Sequence, residues 1–472
     1  MPSLDSVDGP SSTVPSLLTG NLHRCIFLLA LPALGEQLLN YCVGLFDTWL
    51  AGQVKTGIEE GLATSAVGVA AYVSWLATLL FALVGTGTSA IVARAWGRGD
   101  TARASRVASG SMVMAAGMGV LVAGLLYLIA PGYATMQNFQ GDSLRIVVSY
   151  IRTDAIGEMF FVFCLVGSAA LRGAGDMRTP LAVLGAVNVL NVYLSSAMVF
   201  GWWPFPALGI EGIVLGTVIS KTIGGLAILA VLFVGRGGLK INPREWWPHP
   251  DDVRRIMKIG LPQVLDGILM WVGHSLFLMI IARLGTAGGG HPGKTYMAAH
   301  MIGVQVEGLT YLPATAWGYA AATVIGQCLG AGLRERARQA GHTAVRQCMV
   351  IAAFGALVFL FGAPWIYANM TEWQSVRDIG VPAMRFLSWY QIPLVIMVVY
   401  IYAMRGAGDT RSPMFINTFG IVLIRLPIGA LFGLWLGQGL IGAWTGMSVD
   451  VTVRAAIAYV WYGREHWAET QL

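Results

Sequence analysis

The sequence predicts an all-α polytopic membrane protein, with 12 transmembrane helices in two six-helix lobes related by a parallel pseudo-two-fold repeat. Three observations predict it. Of 472 residues, 56% are hydrophobic and 11% charged, with mean hydropathy +0.66. A soluble domain carries roughly 25% charged residues, so this chain lacks the charge to coat itself in water. Twelve apolar stretches follow one another, and half the chain echoes the other half. The 60 glycines suit closely packed membrane helices. Composition disfavours a soluble enzyme, a secreted disulfide scaffold and a disordered hub.

A spanning helix needs about 20 mostly apolar residues. In order, the stretches 25–51, 62–93, 104–130, 145–171, 179–201 and 209–235 meet that length and form spans one to six. Spans seven to twelve are 254–284, 296–329, 338–363, 378–404, 413–436 and 438–462. Several exceed the minimum, so tilt or protrusion is expected. Residues 1–24 read as a disordered cytoplasmic tail, since no basic start or short apolar core marks a signal peptide. The N-lobe is assigned to 25–236, a cytoplasmic linker to 237–253, the C-lobe to 254–465 and a cytoplasmic tail to 466–472. Trp246 and Trp247 suggest that the linker lies at the membrane interface. The five cysteines (Cys25, Cys42, Cys164, Cys328 and Cys348) show no pairing pattern and read as buried thiols.

Loop charge orients the spans. Of the 30 Lys and Arg residues, 20 fall at one set of alternate connections, among them Arg94, Arg98, Arg103, Arg172, Arg236, Arg244, Arg334, Arg405 and Arg411. Five fall on the other set, including Lys55, and five lie within spans: Arg152, Lys221, Arg385, Arg425 and Arg454. This positive-inside bias predicts a multi-pass protein of the plasma (inner) membrane with both termini cytoplasmic. The net charge of +6 reflects that asymmetry and no nucleic-acid partner is expected.

The segment ALRGAGDMRTP at 170–180 returns as AMRGAGDTRSP at 403–413, so Arg172 and Arg405 are 233 residues apart. Gly97 and Gly99 meet Gly330 and Gly332 at the same offset, and Arg152 meets Arg385. Matches at one offset indicate duplication of a six-helix unit. An even number of spans keeps both copies in one orientation, so their axis runs along the membrane normal, a geometry suited to alternating access. Within the repeat, Gly and Asp suit a tight turn and Arg reads as its anchor at the inner surface.

Several segments carry a family resemblance. They are LALPALGEQLLNYCVGLFDTWLAG in span one, LRGAGDMRTP after span four, KIGLP opening span seven, and AAHMIGVQVEGLTYLPATAWGYAAATVIGQCLGAG through span eight. Together with the repeat they resemble the multidrug and toxic compound extrusion (MATE) family over about residues 25–465. The resemblance implies a two-lobe transporter, not an enzyme, exporting organic cations or amphipathic compounds against inward proton or sodium flow. It places Asp47 at the family's first-helix acidic position, proposed for coupling, and Glu307 at an acidic position seen in part of the family.

The residues support that reading independently. A charge at a helix centre costs about 2.5–3.5 kcal/mol on insertion scales, so charges within spans are functional candidates unless they form internal structural pairs. Glu36, Asn40, Gly44 and Asp47 fall on one helical face, with Tyr41 beside it and Leu38, Leu45 and Trp49 opposite. Asp47 and Glu36 are the candidate coupling-ion ligands, since a buried carboxylate takes up a proton or holds sodium. Asp266 follows Pro262 by four residues as Glu36 follows Pro32, making it the second-lobe counterpart. Asp266, Glu307, Asn40, Tyr41, Tyr311, Trp75, Trp271, His274 and Asn191 are candidate cavity residues, with Asp47 or Asp266 the candidate sodium ligands. For Tyr311 and His274, packing or a structural hydrogen bond is the competing account.

Asp154 and Glu158 are one turn apart in span four. Like charges at that spacing repel, so one carries a proton or a cation sits between them. Otherwise Asp154 lies near the outer surface and is simply hydrated, the reading favoured here. Asp450 and Arg454 read as a structural pair, and Arg425 requires an acidic partner that the sequence does not identify. Span ten has Tyr390 and Gln391 where the sodium-coupled branch carries an acid, and span five has Asn188, Asn191 and Ser195 where an archaeal branch carries an Asp. Neither branch's pattern is complete, and of the two ions the proton is favoured over sodium. The expectation is a monomeric antiporter without cofactors, whose partners are small amphipathic or cationic molecules, H+ or Na+, and the lipid bilayer. The alternative is a lipid or lipid-linked-sugar flippase of related fold, for which Arg425 is the main hint. No GK[ST] follows a strand, so an ATP-driven pump is unsupported, and no HExxH or GxSxG occurs.

Overall fold

The computed structural model describes residues 17–54, 62–137, 139–235, 238–242, 246–286 and 292–470. Most of the expected N-terminal tail, Lys55, Arg236, Arg244, part of the linker and the last two residues lie outside them.

Each of the 12 expected spans is helical. The first six are α1 (Leu22–Gln53), α2 (Leu62–Gly97), α3 (Thr101–Met136), α4 (Gly141–Gly173), α5 (Arg178–Phe200) and α6 (Ile210–Val234). They are followed by α7 (Pro250–Arg283), α8 (Gly293–Gly330) and α9 (Arg334–Met370). Span ten is broken into α10 (Gln374–Phe386) and α11 (Gln391–Gly406), bent by 63°. Span eleven joins α12 (Arg411–Phe419) and α13 (Leu426–Ala430) through π-helical turns at Gly420–Arg425 and Leu431–Trp435. Span twelve is α14 (Gly439–Gly463). Among the described residues, nine helical segments are apolar and long enough to cross a membrane, or ten with the bent pair. The remaining two, α8 and α14, carry Gly, Trp, Tyr and polar side chains in place of aliphatic ones.

Two hydrophobic cores form, one per lobe, but each borrows from the other. The C-lobe core includes Ile26, Leu29, Ala30 and Ala33 of α1. The N-lobe core includes Ile256, Ile259 and Val264 of α7. The first half of each lobe's first helix thus seals against the opposite lobe. These halves lie at the end of the bundle bearing the Arg-rich turns, here called the basic end.

The repeat is visible atom by atom at that end. Gly97 packs on the Gln327 carbonyl and Gly330 on the Arg94 carbonyl, and a Cβ on either glycine would overlap the opposing backbone. Arg94 donates to the Ala407 carbonyl (3.1 Å), while Gln327 donates to the Gly173 carbonyl (2.9 Å). Small residues at this crossing let α2 and α8 close the end. Gly175 and Gly408 turn through φ of 92° and 91°, which favours glycine. Asp176 and Asp409 cap the next helices by accepting from the amides of Thr179 and Ser412 (both 3.0 Å). The N-terminal strap joins in, with Arg336 of α9 donating to the Leu17 and Gly20 carbonyls.

Two expectations change here. Cys42 is exposed on the outer face of α1, because it shares the lipid-facing side with Leu38, Leu45 and Trp49; the other four cysteines are buried. Arg172 and Arg405 do not anchor at the surface. Both turn into the bundle, drawn by acids on the first helix of their own lobe.

Candidate functional site

Glycines bring the N-lobe charges together. On α4, Gly157 meets Val218 and the Lys221 stem, and on α6 Gly225 packs against the Phe160 backbone. The helices therefore approach closely enough for Lys221, on α6, to reach both acids of α4. Its Nζ lies 2.6 Å from Asp154 Oδ1 and 2.8 Å from Glu158 Oε1. Ser74 of α2 donates to the other Asp154 oxygen at 2.6 Å. Asp154 is buried at 6% exposure, so it is not a hydrated surface group, and the cation required between the two acids is the Lys221 ammonium. Arg152, two residues from Asp154, stacks instead on Tyr127 at 4.3 Å.

Asp47 of α1 faces the same group, and the charges of Lys221 and Asp154 act on it. Its Oδ1 is buried and has no hydrogen-bond partner among the described residues. Nearby polar positions of the lobe are paired in part, with Asn191 Oδ1 and Ser220 Oγ buried without a partner among the described residues. Asn188 of α5 donates to Asn40 (2.9 Å), and Asn191 to Thr217 (3.1 Å). Asn191 is buried, whereas Asn40 is exposed. One ammonium thus faces three carboxylates: Asp47, Asp154 and Glu158.

Glu36 stands apart from this group. It is buried at 6% exposure and ion-paired to Arg172 at 3.1 Å. Asp266 is its counterpart, paired to Arg405 at 2.5 Å and bonded by Asn417 at 3.0 and 3.1 Å. Between the lobes lies a cavity of about 260 Å³ lined by both arginines, with Tyr319, Tyr402, Gln263 and Thr323. Arg172 stacks on Tyr319 (4.8 Å) and Arg405 on Tyr402 (5.3 Å).

The C-lobe compensates its charges internally. Asp450 accepts from Arg425 Nε (2.8 Å) and twice from Arg454 (2.7 and 2.6 Å), so Arg425 has its acidic partner. Arg454 continues to Asn417 (3.1 Å) and so to Asp266. The π-helical turns of span eleven rotate Arg425 onto this cluster, and Gly420 leaves room for Asp450 and Arg454. Glu307 of α8 accepts from Tyr390, which the break in span ten presents to it, and Gln391 accepts from Thr310 at 2.7 Å. Tyr41 reaches across the lobes to the Gln305 carbonyl (3.2 Å).

The other candidates do not converge on one pocket. Tyr311, Trp75 and Trp271 are exposed, at 41%, 42% and 39%. His274 is half-buried within range of the Arg425 charge. His300, which extends the Glu307 face, accepts from Trp444 at 2.9 Å. Lys221, Arg172 and Arg405 are the residues that sequence reasoning left out of the site. The signal for Lys221 was present, since a lysine mid-way along span six and two like charges one turn apart in span four each require an opposite charge.

Comparison with known proteins agrees with the fold. A relative from Thermotoga maritima, "Probable multidrug resistance protein NorM", is 28% identical over 97% of this chain and 95% of its own. "Multidrug resistance protein MdtK" from Edwardsiella ictaluri is 24% identical over 95% and 96%. A solved outward-facing multidrug resistance MATE family transporter of the MOP superfamily superposes with TM-score 0.88 at 21% identity, covering 98% of this chain and all of the other. The MatE family model matches residues 32–196 and 262–431, within both lobes. The chain belongs to the MatE family.

Proposed function

We propose that the protein is a proton-coupled multidrug antiporter, exporting organic cations or amphipathic compounds by alternating access between its two lobes. The family and the names of its relatives support efflux of small molecules. The observation that carries the coupling reading is the charge imbalance of the N-lobe, where three buried or half-buried carboxylates share one ammonium. Buried charge without compensation is costly, so the lobe gains by taking up a cation. The C-lobe cluster has three arginines to two aspartates and no such demand.

Asp47 is the coupling residue in this reading, since among the described residues no ion pair holds it and its Oδ1 has no partner, whereas Glu158, whose Oε2 is also unbonded, is held by Lys221 through Oε1. Glu36, first grouped with it, serves the fold instead by holding Arg172. Protonation of Asp47 in one orientation and release in the other would tie ion flow to lobe movement. With the basic end facing the cytoplasm, the Gly97–Gly330 crossing closes the cytoplasmic side. Asp47→Asn with normal expression is expected to abolish coupled efflux from proteoliposomes, and full activity would remove Asp47 from the mechanism.

The flippase reading draws on Arg172 and Arg405, which line the cavity and could meet a phosphate headgroup. Arg425 no longer supports it, being held by Asp450 within the C-lobe. Because Arg172 and Arg405 are each paired to a carboxylate, the cavity has no surplus positive charge, and the flippase reading stands second. Scrambling of labelled lipid by purified protein would reverse that order.

A further inference from the structure

We propose that Lys221 is a tethered cation that fills the place between Asp154 and Glu158 and so selects protons over sodium as the coupling ion. The proposal rests on the reading of the N-lobe as the coupling site and names what sets its ion preference.

A sodium ion has to be wrapped in oxygen ligands, as hard cations are. In this lobe the oxygens that could do so are the carboxylates of Asp154 and Glu158, the Ser74 hydroxyl that bonds Asp154, Asp47 and the unbonded Asn191 Oδ1. An ammonium that cannot leave already holds the first two, at 2.6 and 2.8 Å, with its side chain only 15% exposed. The Ser74 hydroxyl is turned to Asp154 as a donor, which takes its proton side toward the acid. A second monovalent cation placed here would stand against the Lys221 charge in a weakly screened interior. A proton brings the same charge but needs a single carboxylate oxygen and no coordination shell.

The surrounding groups agree. The titratable side chains facing Lys221 and its two partners, among the described residues, are Asp47 from α1 and Tyr150 from α4. From α5 and α6 come the neutral Asn191 and Thr217, the Asn191 amide donating to Thr217 while its Oδ1 stays unbonded. The Phe161 ring stands 5.9 Å from Nζ, offering a π face to the same ammonium. Asp47 therefore remains as the acid free to exchange, beside a cation site that is permanently filled.

The test removes the ammonium while keeping the length of the side chain. Purified wild type, Lys221→Met and the double variant Lys221→Met/Glu158→Gln are melted in detergent over a series of NaCl concentrations, with choline chloride at equal ionic strength as reference. The double variant avoids leaving an extra buried carboxylate and covers the case in which the single variant folds poorly. Sodium is expected to leave wild type unchanged. It should raise the melting temperature of at least one variant by about 3 °C or more once its concentration is roughly 100-fold above half-saturation. Recovery of folded variant only when sodium is present supports the proposal equally. It is overturned if neither the melting nor the recovery of either variant responds to sodium, or if sodium already stabilises wild type. Coupling itself is read separately, from transport by wild type under a proton gradient, so a failed transport assay leaves the sodium result interpretable.

Discussion

Replacing Asp450 with asparagine is expected to be among the most destabilising single changes in the C-lobe. Asp450 is fully buried and accepts three charge-assisted hydrogen bonds from Arg425 and Arg454, themselves 5% and 1% exposed. Asp450→Asn leaves two guanidiniums in a dry interior with no carboxylate between them. Breaking a buried ion pair by removing one partner costs about 3–5 kcal/mol. Arg425→Met is gentler, because the Arg454 fork stays on Asp450, and losing one charge-assisted bond costs about 1.5–3 kcal/mol. The assay is unfolding of purified protein in detergent, followed by tryptophan fluorescence and by loss of the monodisperse peak. The order Asp450→Asn, then Arg425→Met, then wild type is expected. The reasoning is refuted if Arg425→Met is the more destabilising, or if Asp450→Asn lies within about 1 kcal/mol of wild type, since the cluster would then be solvated and not a buried network.

Three further outcomes follow from the same geometry. Glu36→Gln leaves Arg172 buried beside Tyr319 and should cost about 3–5 kcal/mol, while Glu36→Gln/Arg172→Gln recovers a large part of it; a double-mutant cycle with coupling below about 0.5 kcal/mol would contradict the pair. Gly97→Val and Gly330→Val each drive a side chain into the opposing carbonyl at the α2–α8 crossing, and should each lose about 1–3 kcal/mol or more in the same melting assay. A lipophilic maleimide should modify about one thiol per folded chain, at Cys42, and none in Cys42→Ser, with the remaining four reacting only after denaturation; counting label by intact-protein mass checks this.

Much of the fold was legible because the physics that builds it is written along the chain. Twelve apolar runs and alternating loop charge follow from the bilayer, and the 233-residue offset predicts which turns repeat. Gly97 and Gly330 even emerged as partners in the repeat, although their role as mutual contacts across the lobes needed coordinates. Span ten was expected as one helix; its 63° break falls just before Pro393, whose ring and missing N–H interrupt the helical ladder, and hydropathy does not register it.

The site was less legible, because pairing between helices is a three-dimensional fact. The acids were found one by one, and Asp266 was matched to Glu36 by position. Their arginines were misplaced, because an arginine at a basic turn reads as a surface anchor until its side chain is seen to reach an acid inside the bundle. Asp154 was misjudged for the same reason. Its distance along span four suggested hydration, while the Gly157 contact with α6 buries it against Lys221. Arg425 needed the π-helical turns to reach Asp450, a local rewinding that residue spacing alone does not reveal.

The central claim, that protons bound in the N-lobe drive efflux, is tested most directly in proteoliposomes. A fluorescent organic cation is loaded, and proton and sodium gradients are imposed separately at equal ionic strength. Efflux is expected under the proton gradient alone and is lost in Asp47→Asn. Efflux driven by sodium and indifferent to the proton gradient would contradict it.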